Sequence, residues 1–388
     1  MKKYQHEPPI DRRGFLRTLA TYAGLGAISS FLQACGLNIG KGTETAFAPP
    51  TVVGEATKVE EQMPISNTTQ EPTVENLPTS TPSPPPPSVP GRVAFVKTQN
   101  RSSGIRQAIQ LLGVNPVSDK NVVLKPNFNS WDPTPGSTHI DVLRTLILEL
   151  DMMGANGISV ADRSGMGNTR AVMEKIGIFQ LAQELEFDVI VLDELPANQW
   201  EIVRFPGSYW MDGFPFPRPL LEADAIVQTC CLKTHQYGGH FTMSLKNSVG
   251  LVAKQIPGES FDYMRMLHSS NHQRKLIADI NLAYQPALIV MDGVEAFVSG
   301  GPALGDKVLS EVVLASTDRI AIDAVGVAIL RYFGTTSVVQ RGAIFEQEQI
   351  ARAVELNLGV THPEQIDIIT SDSESQDYAD AIRNILYA

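Results

Sequence analysis

From residue 91 onward the chain alternates between two hydrophobic patterns. Short β-branched runs at 92–96, 121–125, 157–161, 188–192, 225–229, 288–291, 312–315 and 366–369 are apolar at nearly every position, as strands buried on both faces are. Between several of them lie longer segments with apolar residues three or four apart, which predict helices over 103–112, 138–153, 169–176, 273–284, 319–332, 346–357 and 375–386. The clearest is 138–153. There Val142, Leu143, Leu146, Ile147 and Leu150 mark one face, and Thr138 with Asp141 reads as an N-terminal capping pair. Strands separated by helices predict an α/β fold whose largely parallel sheet is covered by helices on both faces. The length of 91–388 suits one large domain, and it contains no internal repeat.

Upstream the pattern disappears. Residues 36–90 contain prolines at 49, 50, 64, 72, 78, 82, 84 to 87 and 90 among Thr, Ser and Glu. So few apolar side chains cannot offset ordering entropy, and the prolines favour extended conformations, so this segment is expected to be a disordered, semi-stiff tether. Residues 1–35 have a third character: Asp11-Arg12-Arg13-Gly14-Phe15-Leu16-Arg17 runs into the uncharged stretch 18–34 and reaches Cys35. This resembles a twin-arginine export signal. The expected location is therefore outside the cytoplasmic membrane, reached through the twin-arginine export machinery. Leu32-Gln33-Ala34-Cys35 is similar to a lipobox, which implies a lipid on Cys35 and a protein held on the outer face of the membrane. Ordinary cleavage or an uncleaved anchor are the alternatives, since Gln33 is unusual before such a cut.

The formal net charge is −11. Residues 1–34 hold Lys2, Lys3, Arg12, Arg13 and Arg17 against Glu7 and Asp11, so removing them leaves a more acidic body. Such a field repels nucleic acid, and no basic run offsets it, so no nucleic-acid partner is expected. No second apolar run is long enough to span a bilayer. Besides Cys35 there are only Cys230 and Cys231. These cannot build a disulfide framework or an iron–sulfur cluster and are read as small apolar filling in a buried strand.

In open α/β sheets ligands bind beyond the carboxyl ends of the strands, which gives weight to polar residues just after strand runs. Lys125-Pro126-Asn127 leaves one strand, and Asp162 opens the polar loop 162–169, whose neighbouring helix could hold an anion. That loop carries neither a dinucleotide fingerprint nor a phosphate-loop motif, and helix capping is an equal explanation. The densest stretch is 232–251. In it Lys233 and Lys246 could clamp a phosphate or carboxylate, His235 could move a proton near neutral pH, and Gly238 and Gly239 would let the backbone approach closely. The candidate catalytic set is His235, Lys233 and Lys246, with Lys125, Asn127, Asn247 and Asp162 as candidate anion- or substrate-binding residues. A divalent metal is a further alternative. It would use His235, with His240 and a carboxylate or with Asp292, read as a strand-end carboxylate, and Asp323, which lies in an apolar helical run and needs a partner. That partner could be a lysine from 233–246 or a cation, unless Asp323 is simply exposed. Asp318 reads as a helix N-cap.

These blocks in this order resemble the family catalogued as domain of unknown function 362, over roughly residues 92 to 335. The matching elements are Lys125-Pro126-Asn127, the helix leading to Gly154-Ala155, the strand ending at Asp162, Lys233-Thr234-His235, Ser244-Leu245-Lys246-Asn247 with Gly250, Asp292-Gly293, and Thr317-Asp318 followed by Ala321 and Asp323. Some members of that family carry ferredoxin-like cysteine motifs. This chain lacks them, so no iron–sulfur cluster is expected. The resemblance implies where a site lies but no reaction. Two functions follow: an exported enzyme acting on a small anionic substrate, or a tethered anion- or metal-binding protein that catalyses nothing.

Overall fold

The computed structural model describes residues 91–388. The twin-arginine segment, Cys35 and the proline-rich stretch lie outside the described residues. In chain order the elements are β1 (Gly91–Lys97), α1 (Arg101–Leu112), β2 (Asn121–Lys125), α2 (Ile140–Met152), β3 (Gly157–Asp162), α3 (Thr169–Ile176), α4 (Ile178–Leu185) and β4 (Asp188–Val191). Next come β5 (Trp200–Val203), β6 (Phe214–Pro217), α5 (Arg218–Leu221), β7 (Ala225–His235), β8 (His240–Thr242), α6 (Ser244–Asn247), α7 (Tyr263–Ser269) and α8 (Gln273–Ile280). The rest comprises β9 (Pro286–Gly300), β10 (Gly305–Ser316), α9 (Arg319–Tyr332), α10 (Ser337–Gln340), α11 (Glu348–Glu355), β11 (Ile366–Ile369) and α12 (Ser373–Leu386).

The main sheet has the order β11-β1-β10-β9-β7-β2-β3-β4, with β8 paired to β7, while β5 and β6 form a separate ribbon. Strands β9, β7, β2, β3 and β4 run parallel, as do β1 and β11. Strand β10 runs against both its neighbours. The sheet is therefore mixed and mostly parallel. Its alternation is visible in β1, where Val93 and Phe95 join the core under α9, α11 and α12, while Ala94 and Val96 join the opposite core under α1 to α4. A third apolar cluster, including Trp200, Trp210, Phe214, Phe216 and Leu276, packs the β5–β6 ribbon and α8 beside Val123, Ala161 and Ile226.

The β5–β6 ribbon, β8 and the short helices α4, α5, α6, α7 and α10 are not predicted by the sequence pattern, and three expected strands extend well beyond their apolar runs. The runs at 288–291 and 312–315 are the inner parts of long strands that form a hairpin with register irregularities. The outer part of β10 is mostly exposed, whereas β9 stays mostly buried as far as Val298, its apolar run broken at Asp292-Gly293 and at the partly exposed Glu295. Asp292 consequently sits inside β9 rather than at a strand end. Strand β7 likewise continues past residue 229 to His235, buried along its whole length, which puts Lys233 and His235 on a strand instead of in a loop. Cys230 and Cys231 lie there as free, buried filling. The capping pair is also corrected. His139 is the N-cap of α2 and accepts from the Asp141 N–H, while the Thr138 hydroxyl accepts from the Asn127 N–H at 2.8 Å.

Helix α9 is buried around most of its circumference, and Asp323 within it is fully buried. Its partners are backbone N–H groups rather than a lysine or a cation: Oδ1 accepts from Ser244 at 2.8 Å and Oδ2 from Leu245 at 2.9 Å. Burial pushes its pKa up to about 7 against those two bonds. Asp323 thus fixes the start of α6, the helix that carries Lys246 and Asn247. Asp318 caps α9 through the N–H groups of Ile320 and Ala321 and also accepts from Val360. Asp323→Ala should cost about 2–4 kcal/mol by leaving two buried N–H groups unpaired, and Asp323→Asn should recover part of that. Urea unfolding checks both, and an unchanged midpoint in the alanine variant would contradict the account.

Candidate functional site

The connections β2 to β3 to β4 proceed along the sheet in one direction. The chain then returns through the β5–β6 ribbon to place β7 on the other side of β2, and β9 continues away from it. Strands β2 and β7 therefore flank the point where the strand order reverses, the place in an open α/β sheet where a crevice forms at the carboxyl ends. Of the sequence candidates, Lys125, Asp162, Lys233, His235, Lys246 and Asn247 lie there, and Asp292 and Asp323 are engaged elsewhere.

Lys125 ends β2 and Asp162 ends β3, and their side chains meet with Nζ 2.7 Å from Oδ1. Lys125 also donates to Asn247 Oδ1 at 3.0 Å and to the Pro126 carbonyl at 2.6 Å. Asp162 accepts from the N–H groups of Phe128 and Arg163, each at 2.7 Å. Asn247 in turn donates to the Thr229 carbonyl of β7 at 3.0 Å. Burial lowers the Lys125 pKa and raises that of Asp162, while their mutual attraction opposes both shifts. A Cβ at Gly250 would lie 2.6 Å from Asp162 Oδ1 and 2.9 Å from Lys125 Nζ, so only glycine fits over this pair. Lys125, Asp162 and Asn247 are thus brought together. Asn127 is not part of this network; its Oδ1 is buried without a hydrogen-bond partner among the described residues.

Beside this compensated pair lies positive charge with much less compensation. Lys233, 0% exposed, donates to the carbonyls of Gly136 and Pro302, and burial lowers its pKa to about 8. Arg163 is buried and donates to the carbonyls of Val252, Ser164 and Val249 and to Met264 Sδ; no carboxylate among the described residues hydrogen-bonds to it, while burial lowers its pKa against the attraction of Asp193, Asp162 and Asp262. Lys246, 7% exposed, has no hydrogen-bond partner among the described residues. Burial first, then the charges of Lys233 and Arg163, lower its pKa to about 7. His235 is held well below the usual histidine range by burial and by Lys246, Lys233 and His268, so it is neutral, and its buried Nδ1 has no hydrogen-bond partner among the described residues. A Cβ at Gly239 would collide with Lys246 Cε and lie 3.1 Å from His235 Nδ1. The glycine lets both side chains approach one point.

The metal set does not assemble. Asp292 accepts from Arg101 at 2.8 Å and from the Val294 N–H, and Asp323 is occupied at α6, so neither carboxylate is available to His235. His240 faces other groups, Arg274 and Glu348. Among the described residues no cluster of three or more His, Cys, Asp or Glu side chains could hold a metal ion. The sequence reading missed Arg163 and Lys254, which pairs with Asp193 at 3.0 Å. The available signal for Arg163 was its place directly after a strand-end aspartate.

Residues 122–328 match the family described as Domain of unknown function (DUF362), more than half of the chain. The chain belongs to this family. Thylakoid-associated protein sll1697 of Synechocystis sp. (strain ATCC 27184 / PCC 6803 / Kazusa) is 25% identical over 296 residues, 71% of this chain and 85% of that protein. The lactate racemase apoprotein from Thermoanaerobacterium thermosaccharolyticum aligns at a TM-score of 0.35 and 12% identity, over 75% of this chain and 86% of that one. Every residue of the charged cluster lies within the DUF362 region.

The lowered lysines make stability depend on pH. Lys246 and Lys233 have folded-state pKa values of about 7 and about 8, below the usual 10.5. Between those values and 10.5 the unfolded chain binds more protons than the folded one, so stability rises with pH in that window. Lys246→Met should raise stability at pH 7 by about 1–3 kcal/mol, since it removes a buried, unpaired charge, and should flatten the rise. Urea unfolding from pH 6.5 to 10 checks this; a destabilised variant or a flat wild-type profile would contradict it.

Proposed function

We propose that the DUF362 region binds a small anion, a carboxylate or a phosphate, at the carboxyl ends of β2, β3 and β7, and acts on it by proton transfer. The observation that carries this reading is the burial of Lys246 with Lys233 and Arg163 as its strongest charged neighbours and no acid paired to it. Cations in low dielectric are costly alone, and an anionic ligand supplies the missing charge. In this reading Lys233, Lys246 and Arg163 clamp the anion, and Lys125 with Asn247 and Asp162 sets the position of the floor beneath it. Neutral His235 is the proton acceptor once a bound anion offsets the cations that weaken it as a base, its Nδ1 having no hydrogen-bond partner among the described residues.

We further propose that the protein is exported through the twin-arginine route and tethered outside the cytoplasmic membrane, through lipid on Cys35 or an uncleaved signal. Arg12-Arg13, the uncharged run after them and Leu32-Gln33-Ala34-Cys35 support this.

Thermal-shift titration of the full chain with sodium phosphate and sodium acetate, at constant ionic strength, tests the site. Saturable stabilisation by at least one anion is expected, with the shift lost in Lys246→Met and in Arg163→Met. No shift, or equal shifts in all three proteins, would sink the reading. Stabilisation without turnover of any small carboxylate or phosphate ester would leave a binding protein rather than an enzyme.

A further inference from the structure

The four lysines around the crevice differ in what holds them. Lys125 is tied to Asp162 and Asn247, Lys233 to two carbonyls and Lys254 to Asp193. Lys246 alone among the four has no hydrogen-bond partner among the described residues, and it projects from a helix whose start is fixed by Asp323. Its two strongest charged neighbours are cations. A lysine desolvated beside other cationic groups loses its proton near neutral pH, and the freed lone pair is a nucleophile for carbonyl carbon. A proton relay is at hand, because Lys246 Cε and His235 Nδ1 lie against the same glycine, Gly239.

We propose that Lys246 captures a small carbonyl compound bearing a carboxylate or phosphate group as an imine, with that anionic group held by Lys233 and Arg163. This deepens the anion-site reading and rests on it. In the first step the Lys246 Nζ lone pair forms the C–N bond while the carbonyl π pair moves onto oxygen. The proton shed by nitrogen passes by way of His235 Nδ1 to that oxygen. A further proton transfer from nitrogen along the same route completes the loss of the oxygen as water, and the C=N bond forms. One carbonyl and one amine give one imine and one water, and no oxidant or reductant is consumed. The anionic group offsets the charges of Lys233 and Arg163, and the attack is made by the fraction of chains in which the Lys246 amine is neutral.

The test is reductive trapping of the full chain with sodium cyanoborohydride, in separate incubations with pyruvate and with glyceraldehyde 3-phosphate, read by intact mass and peptide mapping. The expected result is one adduct per chain at Lys246 with at least one probe, suppressed by excess phosphate and absent in Lys246→Arg. No adduct with either probe would overturn the proposal. So would labelling spread over many lysines at the rates seen in the urea-unfolded chain. The two readings fail separately. If phosphate still gives saturable stabilisation but no adduct forms, the imine falls and the anion site stands; if neither is observed, both fall.

Discussion

The structure depends on one electrostatic constraint: several cations are buried at the point where the strand order reverses, and only some of them meet an acid. Lys125 with Asp162 is a compensated buried pair, and Lys254, partly exposed, pairs with Asp193 at the edge. Among the described residues, Arg163 and Lys233 hydrogen-bond to carbonyl oxygens and, for Arg163, to Met264 Sδ, and Lys246 has no hydrogen-bond partner. Since burying an ion without its counter-charge costs several kcal/mol, the fold must hold these groups in place by other means. It does so with the two cores and with Asp323 at the start of α6. Gly239 and Gly250 assist, because at those positions any larger residue would strike the charged side chains.

This constraint links fold to chemistry in a definite order. The reversal of strand order opens the carboxyl ends of β2 and β7. The extension of β7 to His235 carries Lys233 and His235 into that opening, and α6 brings Lys246 and Asn247 from the other side. Asn247 bonds both Lys125 and the Thr229 carbonyl, so β2, β7 and α6 form one unit. The depressed lysine pKa values result from this packing. In the proposed function they are what a bound anion offsets.

Much of the fold was legible in the sequence. Strands β2 and β11 fall where their apolar runs lie, and the convergence of Lys125, Asp162, Lys233, His235, Lys246 and Asn247 follows from strand ends and one dense motif. The parts that were not legible share a physical cause, since they are set by partners distant in sequence. Asp323 looked like a group in need of a counter-charge, and backbone N–H groups supply its bonds from 79 and 78 residues away. Asp292 looked like a strand end because Asp292-Gly293 interrupts the apolar run of β9, and its partner Arg101 lies 191 residues upstream. Arg163 carried no motif of its own; its role comes from the carbonyls of the 249–252 segment folding over it.

Isothermal titration calorimetry of phosphate into the full chain at pH 7.5, in two buffers of different ionisation enthalpy, tests the central claim most directly. An anion arriving beside partly deprotonated lysines raises their pKa values. The account therefore predicts binding with net proton uptake, and loss of both binding and uptake in Lys246→Met. Binding without proton uptake, or uptake unchanged in the variant, would contradict it.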